Sequence, residues 1–256
     1  MQTQAPELQS GREVRRWLLD QYSTETARRT LVQMQAAYRW AQFEGRATWN
    51  PFEGLTRYLT VRRQTEDSYA AFTLSERDAI IQAFDRHRVV YAPWVRFLFL
   101  TGCRPEEAAA LRWEHISGDC AELMIKEAAP NDTGFIQPTK TYQATRFPCN
   151  RKLQALLRSQ RPWPLEPKQR VFTSVTGKRF DYTNFQRRQW RPMVEALVAE
   201  GEVAFYLSQY HARHTFITEM VKRSDLKDVS YLCRVSVQTL TKHYLSRARE
   251  IEVPEF

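Results

Sequence analysis

Apolar positions near the start of the chain recur at the spacing of amphipathic helices. We predict one helix over residues 12–22 and another over 24–44, with Ser23 or Thr24 as the N-cap and Gly45 as the stop. The apolar face of the second helix is formed by Leu31, Met34, Ala37, Tyr38 and Ala41. Its polar side and the residues just beyond it are rich in arginine, at Arg28, Arg29, Arg39 and Arg46.

The periodicity then stops in the polar stretch VRRQTEDSYA, residues 61–70, which is typical of an interdomain linker. It resumes at FTLSERDAIIQAF, where Ser75 is a good helix start. We therefore predict a short helical N-terminal domain over 1–64, a linker over 65–72 and a second domain over 73–256.

The second domain alternates helical and strand-like patterns. The apolar run at 91–101 predicts a buried helix, and GCRPEEAAALRW predicts a new helix with Pro105 in its first turn. Short strand-like segments follow at 121–128, 145–150 and 170–174, and helical patterns return from about residue 183. The predicted fold class is mainly α with a small antiparallel β-sheet.

Charge and cysteine content narrow the range of possible functions. A net charge of +9 suits a polyanionic partner as well as it suits a protein that is merely basic. The four cysteines form no CxxC pair or zinc-like spacing, so we expect free thiols and no metal site. No signal-peptide core or membrane-length apolar run is present, and we expect a cytoplasmic protein without membrane contact.

Two basic residues stand in positions suited to phosphate contact. Arg104 precedes a helix start, where free backbone N–H groups favour anions, and Glu107 lies within bracing distance of it. Lys140 lies on a predicted hairpin, from which it can reach a neighbouring groove. Taken alone, a capping ion pair for Arg104 and a solvated position for Lys140 are the commoner roles.

The segment YHARHTF places three polar side chains at helical spacing. Tyr210 can share a helix face with Arg213 and with His214. The simpler interpretation is a buried His214 satisfied by a backbone carbonyl. Tyr244, in TLTKHYLS, lies among polar residues and by itself is a weak signal.

Taken together and in this order, the segments resemble the tyrosine recombinase, or phage integrase, family. GCRPEEAAALRW is similar to that family's first-arginine motif, TKTYQATRFPC to its lysine-bearing turn, ARHTF to its second-arginine motif and KHYLS to its tyrosine motif. The resemblance covers about residues 70–256, and the helical first 65 residues resemble part of the family's core-binding domain.

The resemblance implies a DNA strand transfer without metal, ATP or other cofactor. Tyr244 would attack a DNA phosphodiester and form a 3′-phosphotyrosine. Arg104, Arg213 and Tyr210 would hold the phosphate oxygens, and Lys140 would protonate the leaving 5′-oxygen. The partner would be double-stranded DNA, and the protein would be associated with the nucleoid. It would be monomeric in free solution and would assemble into a homo-tetramer on DNA.

The sequence departs from the family pattern at two positions. Tyr210 stands where the family usually has histidine, and the adjacent His211 would point elsewhere on a helix. Val235 stands where the family has a histidine or tryptophan that contacts the phosphate. Two residues are candidates to replace the missing donor, namely Arg234 in an alignment shifted by one residue and His243 beside Tyr244.

These departures leave several functions open. The first is an active site-specific recombinase or integrase, and the alternative is a catalytically weakened DNA-binding member acting as a regulator or accessory factor. A type IB topoisomerase shares the chemistry but suits the motifs less well. A basic helical protein that binds RNA or another partner would require every motif match to be coincidental.

Overall fold

A computed structural model describes residues 10–60, 69–130, 136–138 and 144–245. The chain divides into two compact units, Met1–Thr65 and Glu66–Phe256. Of the predicted linker, residues 65–68 lie outside the described residues, whereas Phe72 is buried in the core of the second unit.

The first unit is built on two helices, α1 (Gly11–Gln21) and α2 (Thr24–Phe43). Ser23 caps α2 by accepting a hydrogen bond from the backbone N–H of Thr26, and Gly45 adopts the left-handed conformation just past the helix end. A small core joins the two helices to the turns that follow them, formed by Leu18, Ala27, Leu31 and Phe52.

The second unit is mostly helical. Its helices are α3 (Leu74–His87), α4 (Ala92–Thr101), α5 (Pro105–Ala110), α6 (Arg151–Gln160), α7 (Tyr182–Phe185), α8 (Arg191–Ala199), α9 (His211–Val221), α10 (Leu226–Cys233) and α11 (Val237–Leu240). A π-helical turn, Gln186–Trp190, leads into α8, and another, Thr241–Leu245, follows α11. Among the described residues, no helix combines the length and the apolar character that a membrane span requires.

The described part of the unit also contains four short strands: β1 (Glu122–Ile125), β2 (Glu127–Ala128), β3 (Gln137–Pro138) and β4 (Thr145–Pro148). β1 pairs antiparallel with β4, and β2 pairs antiparallel with β3. The small antiparallel sheet predicted from the sequence is therefore confirmed. The β1–β4 ladder places Leu123 opposite Phe147, and both side chains point into the core.

Two local predictions were wrong. The start of α3 is capped by Thr73, not Ser75, because Thr73 and Glu76 form a reciprocal capping box. Residues 170–174 form no strand. Arg170 and Thr173 each make only an isolated bridge, and a turn at Gly177 reverses the chain before a ladder can extend.

The centre of the second unit is α4, which packs against α3, α6 and α9. Its buried residues are apolar on nearly every side, as expected of a helix enclosed by others. A second, smaller cluster lies under α9, α10 and α11 and contains Ile217, Val221, Val229, Cys233, Leu240 and Tyr244. The buried helix and the new start at Pro105 were both predicted from the sequence.

Candidate active site

The turn between α4 and α5 brings Arg104 to the site. Gly102 ends α4 in the left-handed conformation, at φ 60° and ψ 19°. A Cβ atom there would lie 2.5 Å from Cδ1 of Phe216 on α9, so both the backbone and the packing require glycine. Pro105 then starts α5, with Arg104 as its N-cap residue.

Glu107 contacts both the backbone and the side chain of Arg104. The carboxylate accepts a hydrogen bond from the Arg104 backbone N–H at 2.9 Å and forms an ion pair with its guanidinium at 2.8 Å. The Arg104 side chain keeps 20% of its surface exposed, whereas that of Glu107 keeps 2%. Arg104 is therefore held through its backbone N–H and one terminal nitrogen, while a fifth of its side chain stays exposed.

Arg213 is locked by backbone carbonyls from two distant segments. It projects from α9, is 2% exposed, and donates to the Gly102 carbonyl at 2.7 Å and to the Cys233 carbonyl. Burial, and then the nearby charge of Arg104, lowers the pKa of its guanidinium. These contacts join the α4–α5 turn, α9 and the end of α10 into one site.

Arg234 faces Glu107. Its Nε and one terminal nitrogen donate to the Glu107 carboxylate at 3.2 and 2.7 Å, and the other terminal nitrogen donates to the Leu232 carbonyl at 2.8 Å. Burial would raise the pKa of Glu107, but the charges of Arg234 and Arg104 hold it below its ordinary value. In this structure all three guanidinium nitrogens of Arg234 are already engaged.

The backbone at Arg234 is in a conformation that glycine adopts most easily. Arg234 ends α10 at φ 54° and ψ 47°, the left-handed conformation in which most side chains are strained. The next residue, Val235, packs half-buried against the cluster under α9 to α11. Val235 therefore contributes to the core and offers the site no hydrogen-bond donor.

Tyr244 and His214 form a close polar pair inside the site. The Tyr244 hydroxyl lies 2.6 Å from Nδ1 of His214, and Tyr244 is 2% exposed. The Tyr244 hydroxyl is thus one side-chain partner of His214. Burial raises the pKa of the Tyr244 phenol, and the positive charge of Arg213 opposes that shift.

Further aromatic side chains enclose this pair. Tyr210, the N-cap residue of α9, places its ring centroid 5.3 Å from that of His214. His243 stacks on Tyr69 at 4.0 Å, and Tyr69 also meets the edges of His214 and Tyr244. Tyr69 was missed at the sequence level, because it ends a polar stretch whose composition is that of a linker.

The remaining candidates lie apart from the Tyr244–His214 pair or outside the described residues. His211 turns toward Ser208, with its Nδ1 3.0 Å from the hydroxyl, although its ring is also 5.2 Å from that of His214. Lys140 lies outside the described residues. Near it in sequence, the backbone N–H of Arg146 on β4 donates to the Tyr231 hydroxyl on α10 at 3.1 Å.

The arrangement combines fixed positive charge with a buried phenol. Two guanidiniums, one braced by a carboxylate and one by carbonyls, are pre-organised to bind an oxyanion. In the tautomer that leaves Nδ1 of His214 unprotonated, the Tyr244 phenol has a proton acceptor at hydrogen-bond distance. Together these groups suit nucleophilic attack by a tyrosine on an anionic ester.

Comparison with known proteins places the chain in one family. The model of the phage integrase family matches residues 71–250. The fold is similar to that of the Tn1549 transposon integrase in complex with a circular intermediate DNA, with 16% identity, a TM-score of 0.72 and coverage of 92% of this chain and 81% of that chain.

Two structures of lambda integrase are also similar. A dimer bound to a COC' core site gives 17% identity, a TM-score of 0.62 and coverage of 97% of this chain and 68% of that chain. A tetramer bound to a Holliday junction gives 16% identity, a TM-score of 0.62 and coverage of 88% and 64%. No curated protein matches the sequence. At these identities the structural similarity supports the fold.

Proposed function

The chain belongs to the phage integrase family of tyrosine recombinases, and on that basis we propose that it is a site-specific DNA recombinase. It cuts and rejoins double-stranded DNA through a 3′-phosphotyrosine intermediate on Tyr244. The reaction conserves the energy of the phosphodiester bond and so requires no ATP.

One contact carries the proposal. The Tyr244 hydroxyl lies 2.6 Å from His214, which directly follows Arg213 on α9. Arg213 in turn donates to the Gly102 carbonyl, two residues before Arg104. The nucleophile and both arginines therefore belong to one connected set of contacts, although they come from three separate parts of the sequence.

The chemical step assigns a task to each group. The Tyr244 oxygen forms a bond to phosphorus as the bond from phosphorus to the 5′-oxygen breaks. The Tyr244 proton passes to Nδ1 of His214, and Lys140 supplies a proton to the leaving 5′-oxygen. A second strand's 5′-hydroxyl reverses these transfers, which releases Tyr244 and seals the new strand.

The arginines stabilise the charge that builds on the phosphate. Arg104 and Arg213 donate to the nonbridging oxygens, and Tyr210 donates its phenolic hydrogen beside them. Glu107 and Arg234 act through Arg104, since the carboxylate fixes the guanidinium and Arg234 neutralises the carboxylate. His243 supports the nucleophile through its stack on Tyr69.

The partner is duplex DNA. The net charge of +9 favours a polyanion, and similar folds occur in integrases bound to DNA. The lambda integrase tetramer on a Holliday junction supports a homo-tetramer that assembles on DNA. We place the reaction in the cytoplasm, on the nucleoid, and assign DNA binding to the helical residues 1–64 and strand transfer to 73–256.

A covalent-trapping assay tests the proposal. The protein is incubated with negatively supercoiled plasmid and quenched with SDS, and protein-linked DNA is measured. We expect adducts from the wild type and none from Tyr244→Phe. Arg104→Ala should lower the yield by about 100-fold or more, as removal of an oxyanion donor does elsewhere. Arg223→Ala, at an arginine with a 69% exposed side chain, is the matched control.

Arg213 needs a gentler variant because its buried guanidinium also holds two backbone carbonyls. Arg213→Lys keeps the charge and loses the paired geometry, and circular dichroism checks its fold. A folded Arg213→Lys protein with full adduct yield would contradict the role proposed for Arg213. Adducts that persist in Tyr244→Phe would refute the assignment of the nucleophile.

A second function is favoured by one observation. Val235 packs into the apolar cluster and supplies no donor at the position where the family has one. The alternative is a family member that binds DNA and cleaves weakly or not at all, as a regulator or accessory factor. Wild-type protein that binds DNA without adducts, beside a Val235→His variant that forms them, would establish this alternative.

A further inference from the structure

Tyr69 packs against the nucleophile and both of its histidine neighbours. Its ring is parallel to that of His243, with an interplanar angle of 7° and centroids 4.0 Å apart. It meets His214 at 5.3 Å and 67°, and Tyr244 at 5.6 Å and 85°, both edge to face. These are the stacked and T-shaped arrangements that aromatic pairs favour.

The orientation of the His214 ring decides whether the polar pair exists. The ring torsion of histidine is broad and roughly two-fold, so backbone and rotamer alone leave two orientations. A flip of the ring would exchange Nδ1 with Cδ2, and a carbon would then face the Tyr244 hydroxyl. The 2.6 Å contact therefore requires neighbours that hold one orientation.

The neighbours of His214 come from three directions. Tyr210 and His211 lie along its own helix, with ring centroids at 5.3 and 5.2 Å. Tyr244 lies on the turn after α11, and Tyr69 lies ahead of α3. Of the three besides Tyr244, Tyr69 also makes a ring contact with Tyr244 and stacks on the adjacent His243.

We propose that Tyr69 is a positioning residue for strand transfer, which holds Nδ1 of His214 toward the Tyr244 hydroxyl and clamps the turn that carries Tyr244 through the stack on His243. The ring provides this function by its shape, so phenylalanine can replace tyrosine. The effect on rate rests on the proposed recombinase function, whereas the effect on the His214 ring does not.

Nitrogen NMR of histidine reads the ring directly. The chain has five histidines, and His214→Gln identifies the signals of His214. The wild type should show Nδ1 of His214 in a single, strongly hydrogen-bonded state. Tyr69→Leu should shift those signals toward an averaged, weaker hydrogen bond, and Tyr69→Phe should leave them unchanged. Phe205→Leu, at a residue that is 52% exposed in the same unit, is the matched control.

Covalent trapping supplies the second readout. At saturating DNA, Tyr69→Leu should slow adduct formation by about tenfold to 100-fold, in line with a misplaced catalytic group. Tyr69→Phe should stay within about twofold of the wild type, and DNA affinity should be unchanged in both. If circular dichroism shows that Tyr69→Leu is unfolded, Tyr69→Met takes its place.

The outcomes separate the two proposals. Unchanged His214 signals in the folded Leu or Met variant overturn the positioning role, whatever the rate. A Tyr69→Phe protein as slow as the Leu variant overturns it as well, because the hydroxyl and not the ring would then matter. A wild type that forms no adduct refutes active recombination, but the NMR comparison still decides whether Tyr69 orients His214.

Discussion

Replacing Arg234 with glycine tests the buried ion pair behind the site. The guanidinium lies 2.7 Å from the Glu107 carboxylate, and the two side chains are 3% and 2% exposed. Arg234 also holds the left-handed backbone conformation, at φ 54°. The substitution therefore removes a buried charge and relieves backbone strain at the same residue.

The two effects have opposite signs and different sizes. Removing one partner of a buried pair costs about 3–5 kcal/mol, because the other charge loses part of its compensation and Glu107 then keeps, among the described residues, only its ion pair with Arg104. Glycine in the left-handed conformation returns about 1 kcal/mol relative to a residue with a side chain. The expected net loss is about 2–4 kcal/mol, equivalent to a fall in melting temperature of about 5–15 °C for a domain of this size.

Urea unfolding of the full chain measures the loss, with two controls. Arg234→Asn removes the charge but tolerates the left-handed backbone, and so separates the ion pair from the flexibility of glycine. Glu107→Gln, alone and combined with Arg234→Gly, completes a double-mutant cycle. The two changes should couple, since the double variant no longer carries a buried carboxylate that has lost one of its arginine partners, and it should lose less than the sum.

The pH dependence gives an independent check. The pKa of folded Glu107 is held below its ordinary value of 4.5, chiefly by Arg234 among the charges that oppose burial. The unfolded chain therefore binds the proton more readily. Glu107 thus contributes stability above that value, and the contribution is lost as the pH falls through the folded pKa. In Arg234→Gly, the free energy of unfolding should fall less steeply as the pH drops through this range.

Two outcomes would contradict a stabilising role for the ion pair. An Arg234→Gly protein as stable as the wild type, with an unchanged acid-side profile, would mean that the Arg234–Glu107 pair adds nothing to stability. Additive losses in the double-mutant cycle would mean that the two side chains do not act on each other.

Three further predictions follow from the geometry. Gly102→Ala should destabilise the protein by about 2–4 kcal/mol in thermal unfolding, through overpacking plus backbone strain, whereas Gly118→Ala, with no atom near the added Cβ, should have little effect. All four cysteines are buried, and burial raises the pKa of Cys149 to about 12 and that of Cys233 to about 11. A thiol reagent at pH 8 should therefore react slowly with the folded protein until urea is added. Rapid labelling of the folded protein would contradict this burial. DNA affinity should fall steeply as salt rises in a filter-binding titration, since phosphate contacts release counterions, and a flat response would argue against DNA as the partner.

Much of the fold could be predicted from short-range patterns. The apolar run before Gly102 predicted a buried helix, and Pro105 marked the next helix start, because glycine and proline restrict the backbone wherever they occur. The order of the motifs around Arg104, Arg213 and Tyr244 indicated the family, which the match over residues 71–250 confirms. Local errors arose where a neighbour overrode the pattern, as Thr73 did at the start of α3.

What the sequence determined is local, namely the helices, their caps and the residue types available to a site. Which side chains contact one another depends on the packing of segments that are distant in sequence. Arg234 reaches Glu107 across 127 positions, His214 reaches Tyr244 across 30, and Tyr69 packs on both from the far end of the unit. No periodicity encodes such pairs, because they depend on how the helices pack around α4. Tyr69, which packs on His214 and Tyr244, was therefore predicted as part of a linker.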